Sequence, residues 1–319
     1  MNTAIEIVIY GARALAEIMV AQTIAYLGIK GTINITSPKG WVISSHPFRE
    51  TKPNEELIEK INYKHIEDLA PYLSILEQKT SSENCKIAYR NLSSVILKKK
   101  RAVLLIGNVG SYNVKKNRIE YASKNVIGHE FLHLASATYD EKNKMFYYGF
   151  SQQKKKGWGI GDGLNEGYTE LLASRWYNKK RKPGAYKKLV RLSSLFEYFF
   201  VDAKSMEWFY FHHDLPGFIK YMEHFLPRKE IIDILKMMDD LYYKTAFPLA
   251  FLPDFKEFKI KMKLYGALKK YCKDPYRIAA FEKQISSDPL IYLSLNKNKL
   301  KLQKDNPYVR MEQGESKKL

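Results

Sequence analysis

The chain has 319 residues, 45% of them hydrophobic and 13% aromatic, which excludes a disordered chain and allows a sizeable core. Its formal net charge of +19 raises the question of an acidic partner, yet the basic residues are mostly lysine in dispersed runs at 98–101, 154–156, 179–182 and 297–304, with no nucleic-acid-binding motif around them. Cys85 and Cys272 are the only cysteines, which excludes a disulfide framework and favours a reducing compartment.

In chain order, residues 1–28 are apolar but interrupted by Glu6, Arg13 and Glu17. The longest uncharged run, Ile18–Ile29, is shorter than the roughly 20 residues of a membrane span, and Met1–Tyr10 lacks the positive start of a signal peptide. A core helix and a cytoplasmic protein without a membrane span are expected. Thr32–Ile35 and Gly40–Ser44 read as short strands, and Asn54–Leu69 and Pro71–Gln78 as helices. Lys79–Asn84 reads as a polar linker. Strands are predicted at Lys86–Tyr89, Ser94–Leu97 and Ala102–Ile106, then a hairpin from Gly110–Val114 and Arg118–Ala122 with its turn at Lys115-Lys116-Asn117. Ser123 is a candidate N-cap for a following helix. Tyr139–Lys144 reads as a turn and Met145–Phe150 as a strand. Gly157, Gly159, Gly161 and Gly163 lack the strand and helix context of a phosphate loop, and read as a flexible approach to a helix over Gly163–Tyr177, with Trp158 as a candidate substrate contact. Helices follow at Ala185–Val201, Met206–His212, Gly217–Phe225, Glu230–Tyr243, Phe255–Cys272 and Pro275–Ile285, punctuated by prolines. Their aromatic stripes read as core.

The chemistry centres on His129-Glu130-Phe131-Leu132-His133, which has the form H-E-x-x-H. On a helix, residues four apart lie one turn apart on nearly the same face, so both imidazoles can reach one ion, and Glu130 lies beside them as a candidate general base. Apolar neighbours at Val126, Ile127, Phe131, Leu132 and Leu134 suit a buried helix. A catalytic zinc needs a third protein ligand and an open position. Downstream, Glu166 and Glu170 are again four apart, so that one can ligate while the other orients a ligating histidine.

Taken together, His129-Glu130-x-x-His133 and Asn165-Glu166-x-x-Thr169-Glu170 resemble the gluzincin, or thermolysin-like, zinc metallopeptidases, over about residues 128–173. The resemblance implies zinc held by His129, His133 and Glu166, with Glu130 as general base in the hydrolysis of a peptide or protein substrate. Asn165 and Glu170 would stand behind the ligands. Glu170 occupies the place of a family Asp, and the segment 134–165 is longer than in the best-known members. The family also implies an oxyanion donor from a helical second lobe, for which His212 and His213 are the candidates, with Tyr210 and Tyr168 behind them. A sheet edge beside the active helix, here Val109–Asn113, would bind substrate backbone; an ordinary hairpin is the equal alternative. The expected architecture is α+β: an N-terminal α/β region at 1–82, a zincin-like core with a mixed sheet at 83–180, a helical lobe at 181–295 and a basic tail at 296–319. The competing function is a non-catalytic module that holds a protein or nucleic-acid partner on its basic surface; within the zincins, a regulatory protease cutting one cellular protein is a further reading.

Overall fold

The computed structural model describes residues 63–100, 110–154, 159–177, 186–245 and 255–286. The expected elements in 1–62, the strand at Ala102–Ile106, Trp158 and the basic tail lie outside them. Helices and small sheets make an α+β protein. The chain separates into two compact units, 1–253 and 254–319. The first contains residues 83–180 and part of the helical lobe expected at 181–295, up to residue 253.

Among the described residues, the first element of that unit is α1 (Tyr63–Lys79), which continues through Pro71. Two helices broken at Pro71 were expected. Leu69 and Leu76 are fully buried on either side of it, so one buried face spans the proline. Next, α2 (Ser82–Leu92) replaces the strand expected at 86–89. Ser81 caps it, accepting from the Asn84 N–H, and Asn84, Cys85, Ala88 and Leu92 form its buried face.

The first sheet holds β1 (Ile96–Lys99), β2 (Gly110–Asn113) and β3 (Arg118–Tyr121) in the order β1-β3-β2, with β1 parallel and β2 antiparallel to β3. Tyr112 pairs with the fully buried Ile119, and among the described residues β2 lies at an edge of this sheet. Ser123 caps a single 3-10 turn, Lys124–Val126, that leads into α3 (Ile127–Ala135), every residue of which is buried. The last turn of α3 is closed from α2: the Asn91 amide donates to the Leu134 and Ala137 carbonyls, and Arg90 donates to the Ala137 carbonyl and Thr138. The bond to Leu134 satisfies a carbonyl that the helix end leaves open, and those to Ala137 and Thr138 hold the start of the strand that follows.

A second antiparallel sheet follows: β4 (Ala137–Asp140), β5 (Met145–Tyr148) and β6 (Ser151–Lys154), in that order. Then α4 (Asp162–Trp176) crosses the core, with Leu164, Tyr168 and Leu172 fully buried. Against it pack α5 (Lys187–Phe196) and, through Tyr210 on Tyr168, α6 (Ala203–Phe211); α7 (Leu215–Met222) packs on α6 and on α8 (Arg228–Thr245), which also lies against α4. Phe150, Tyr168, Tyr210 and Phe218 form an aromatic centre with ring centroids 5.0–5.8 Å apart. The second unit contains α9 (Phe255–Tyr271) and α10 (Pro275–Ile285), joined through Tyr265 stacked on Phe281. Among the described residues, no helix is long and apolar enough to cross a membrane.

Candidate metal centre

Two helices build the site. His129 and His133 lie on one face of α3, and Glu166 and Glu170 on one face of α4, which packs against it. The four-residue spacing on each helix stacks both pairs one turn apart. The Nε2 atoms of His129 and His133 are 3.1 Å apart. Glu166 Oε2 lies 3.3 Å from His129 Nε2, and Glu166 Oε1 3.4 Å from His133 Nε2. Bonds of about 2.0–2.1 Å at a tetrahedral angle place ligand atoms roughly 3.3 Å apart; the two nitrogens and the Glu166 carboxylate, which meets each of them with a different oxygen, are close enough together to share one ion. Behind them, His129 Nδ1 is 2.9 Å from Glu170 Oε2. That contact fixes the ring and leaves Nε2 pointing at Glu166.

The electrostatics favour a cation. Glu130 and Glu170 are buried and Glu166 is partly so, its side chain 13% exposed, and none of the three has a lysine or arginine partner among the described residues. Burial opposes a charge on His129, but Glu166 and Glu170 outweigh it and raise its pKa to about 10. Burial likewise opposes ionisation of Glu166, and here His133 and His129 prevail, holding its carboxyl below the ordinary range. Two imidazole nitrogens converging on a carboxylate inside such an acidic pocket fit a divalent ion well, and the mixed nitrogen and oxygen donors suit zinc.

Glu130 lies between this trio and β2. Burial raises its pKa, and the backbone N–H of Tyr112 bonds its carboxylate. Gly110 makes this approach possible: a Cβ there would lie 2.8 Å from Glu130 Oε1. Three tyrosines surround the centre. Tyr148 meets the His133 ring edge-on at 6.1 Å, and Tyr186 stacks on His129 at 6.0 Å. Tyr242 of α8 lies beside Tyr186, and Glu166 is the chief cause of its raised pKa. These three were not singled out in the sequence, because nothing local distinguishes them among 23 tyrosines.

The other candidates lie elsewhere. Successive residues of a strand face opposite sides, so Tyr147, beside His213, faces away from the side on which Tyr148 meets His133. His213 is buried there near Arg90, and His212 stacks on Trp208 with its Nδ1 at the Trp208 carbonyl. The structure therefore does not bring His212 or His213 to the cluster of His129, His133 and Glu166. Tyr168 and Tyr210 belong to the aromatic core, with the Tyr210 hydroxyl at Thr169. Asn165 accepts the Phe150 N–H and ties α4 to the turn between β5 and β6, rather than touching a ligand.

His213 has a consequence for acid stability. Burial, reinforced by Arg90, lowers its pKa to about 3. The unfolded chain protonates this ring near pH 6.5, the folded chain only near pH 3, so the unfolded state binds more protons in between and stability falls as pH falls. Each pH unit in that window costs about 1.4 kcal/mol. Urea unfolding between pH 7 and 5 is expected to show a weaker pH dependence in His213→Asn, since Asn tolerates the φ of 42° at this position.

Comparison of the chain with protein-family models, with curated proteins and with solved structures finds no match.

Proposed function

We propose that the protein is a zinc-dependent peptidase with a zincin-like core, in which His129, His133 and Glu166 hold the ion and Glu130 is the general base. The observation that carries this reading is the convergence of two imidazole nitrogens 3.1 Å apart on one carboxylate, whose two oxygens lie 3.3 and 3.4 Å from them, with a second carboxylate, that of Glu130, buried close by. Zinc, when bound, supplies a Lewis acid and lowers the pKa of its water to about 7.

The remaining work falls to the chain. Glu130, its carboxylate oriented by the Tyr112 N–H and made more basic by burial, takes the proton of the attacking water and delivers it to the leaving amine. The substrate backbone extends the first sheet along β2, whose outer side is open among the described residues. Tyr186 and Tyr242 take the oxyanion-donor role first assigned to His212 and His213, since their rings stand against His129 and near Glu166. A site of this chemistry favours a protein or peptide substrate over a nucleic-acid partner.

The test is metal content. Protein purified without chelators is expected to carry zinc by elemental mass spectrometry, and Glu166→Ala to lose most of it. A wild-type protein that holds no zinc and takes none up on addition ends this reading.

A further inference from the structure

Three side chains of α8 lie on one face of that helix, at positions i, i+3 and i+4: Asp239, Tyr242 and Tyr243. The rest of the buried face, with Ile231, Ile234, Leu235, Met238 and Leu241, is apolar. All three polar groups reach toward α4 or the site. The Asp239 carboxylate accepts the backbone N–H groups of Gly163 at 2.8 Å and Gly161 at 3.1 Å. It thereby caps a helix whose own N-cap residue, Gly161, offers no side chain. The Tyr243 hydroxyl donates to Asp162 at 2.6 Å, in the first turn of α4. Asp162 also accepts from Ser151, from Gln153 and, at 3.3 Å, from the Tyr148 hydroxyl. Tyr148 in turn stands against His133, and Tyr242 lies near Glu166.

The two helices also touch backbone to backbone. A Cβ on Gly163 would lie 2.2 Å from the Met238 carbonyl oxygen. The capped N–H of Gly163 is three residues, about one helical turn, before Glu166. Packing of apolar side chains alone leaves two helices free to slide by fractions of an ångström. Two hydrogen bonds from a carboxylate to fixed backbone donors do not.

We infer that Asp239 is a positioning residue: with Tyr243 and Asp162 it latches α8 to the first turn of α4 and so sets Glu166 and Tyr242 in register with His129 and His133. The latch rests on the zinc reading above but is separable from it. It also accounts for two buried carboxylates that the ligand set does not use, each held by donors chosen to keep it in place.

Zinc affinity by chelator competition, and the absorption spectrum of the cobalt-loaded protein, test the latch. Asp239→Ala is expected to weaken zinc binding about tenfold or more and to alter the cobalt spectrum. Asp239→Asn, which keeps one acceptor oxygen, is expected to recover part of both. Leu235→Ala loosens the same helix without touching the latch, and is expected to leave the zinc affinity and the spectrum unchanged. Unchanged affinity in Asp239→Ala, or an equal loss in Leu235→Ala, overturns the positioning role. A wild-type chain that binds no zinc fails at the earlier step and removes the site the latch would serve.

Discussion

Glu130→Gln is expected to keep its zinc and to lose peptide hydrolysis by about 10²–10⁴-fold. The substitution is nearly isosteric, and Glu130 is not among the three converging donors, so ion binding should stand. What changes is proton chemistry. An amide does not take a proton from water at neutral pH, whereas a buried carboxylate with a raised pKa does so and then releases the proton to the departing amine. The Gln oxygen can still accept the Tyr112 N–H, so the side chain should stay where it is. The loss should therefore fall mainly on kcat, with little change in KM. Zinc content and cleavage of a peptide library, measured on the same preparations, check this. Full activity in Glu130→Gln would remove the general base from the mechanism. Zinc binding without cleavage by either protein would favour the non-catalytic module.

The second large effect is on stability. Gly163→Ala is expected to destabilise the protein by about 1–3 kcal/mol, read from urea unfolding. Two effects oppose one another. Replacing Gly by Ala within a helix gains up to about 1 kcal/mol. At Gly163, however, the new Cβ would fall 2.2 Å from the Met238 oxygen, 2.3 Å from the Met238 carbonyl carbon and 2.8 Å from the Asp239 nitrogen. All three are backbone atoms, so no rotamer change relieves the overlap, and α8 must move away. Gly266 in α9 provides the reference, because a Cβ there meets nothing within 4 Å. The same substitution at Gly266 should be neutral or stabilising.

The ligand spacing was readable in the chain because four residues make one helical turn. His129 and His133, and Glu166 and Glu170, were paired by that arithmetic alone, and the helices over both motifs follow from the same periodicity. The hairpin at 110–121 was legible from its turn residues. What the sequence hid has identifiable causes. Lys86–Tyr89 looks like a strand in a window of four residues, but the buried face that decides it, Asn84, Cys85, Ala88 and Leu92, needs a window of nine. β4 is not legible locally, because its Ala-Thr-Tyr-Asp run carries its meaning only opposite β5. Pro71 promised a break, but the packing of Leu69 and Leu76 overrides it. Adjacent histidines drew attention to 212 and 213 although only tertiary structure says which side of a sheet they occupy. The glycines before Glu166 read as a flexible approach, whereas Gly161 takes a φ of 88° and Gly163 admits a neighbouring backbone. Asp239 had no signal at all, since its partners are 76 and 78 residues away.

That separation bears on the order in which the protein is made. By residue 170 a growing chain already contains every proposed ligand and the general base. The carboxylate that secures the first turn of α4 emerges only at position 239. Until then Gly161 and Gly163 have only water for their N–H groups, and long-range closures of this kind come slowly because a loop must first be ordered. The chemistry is thus written early in the chain and its geometry completed late, so a chain interrupted between the two positions would carry the groups for hydrolysis without the bonds that align them.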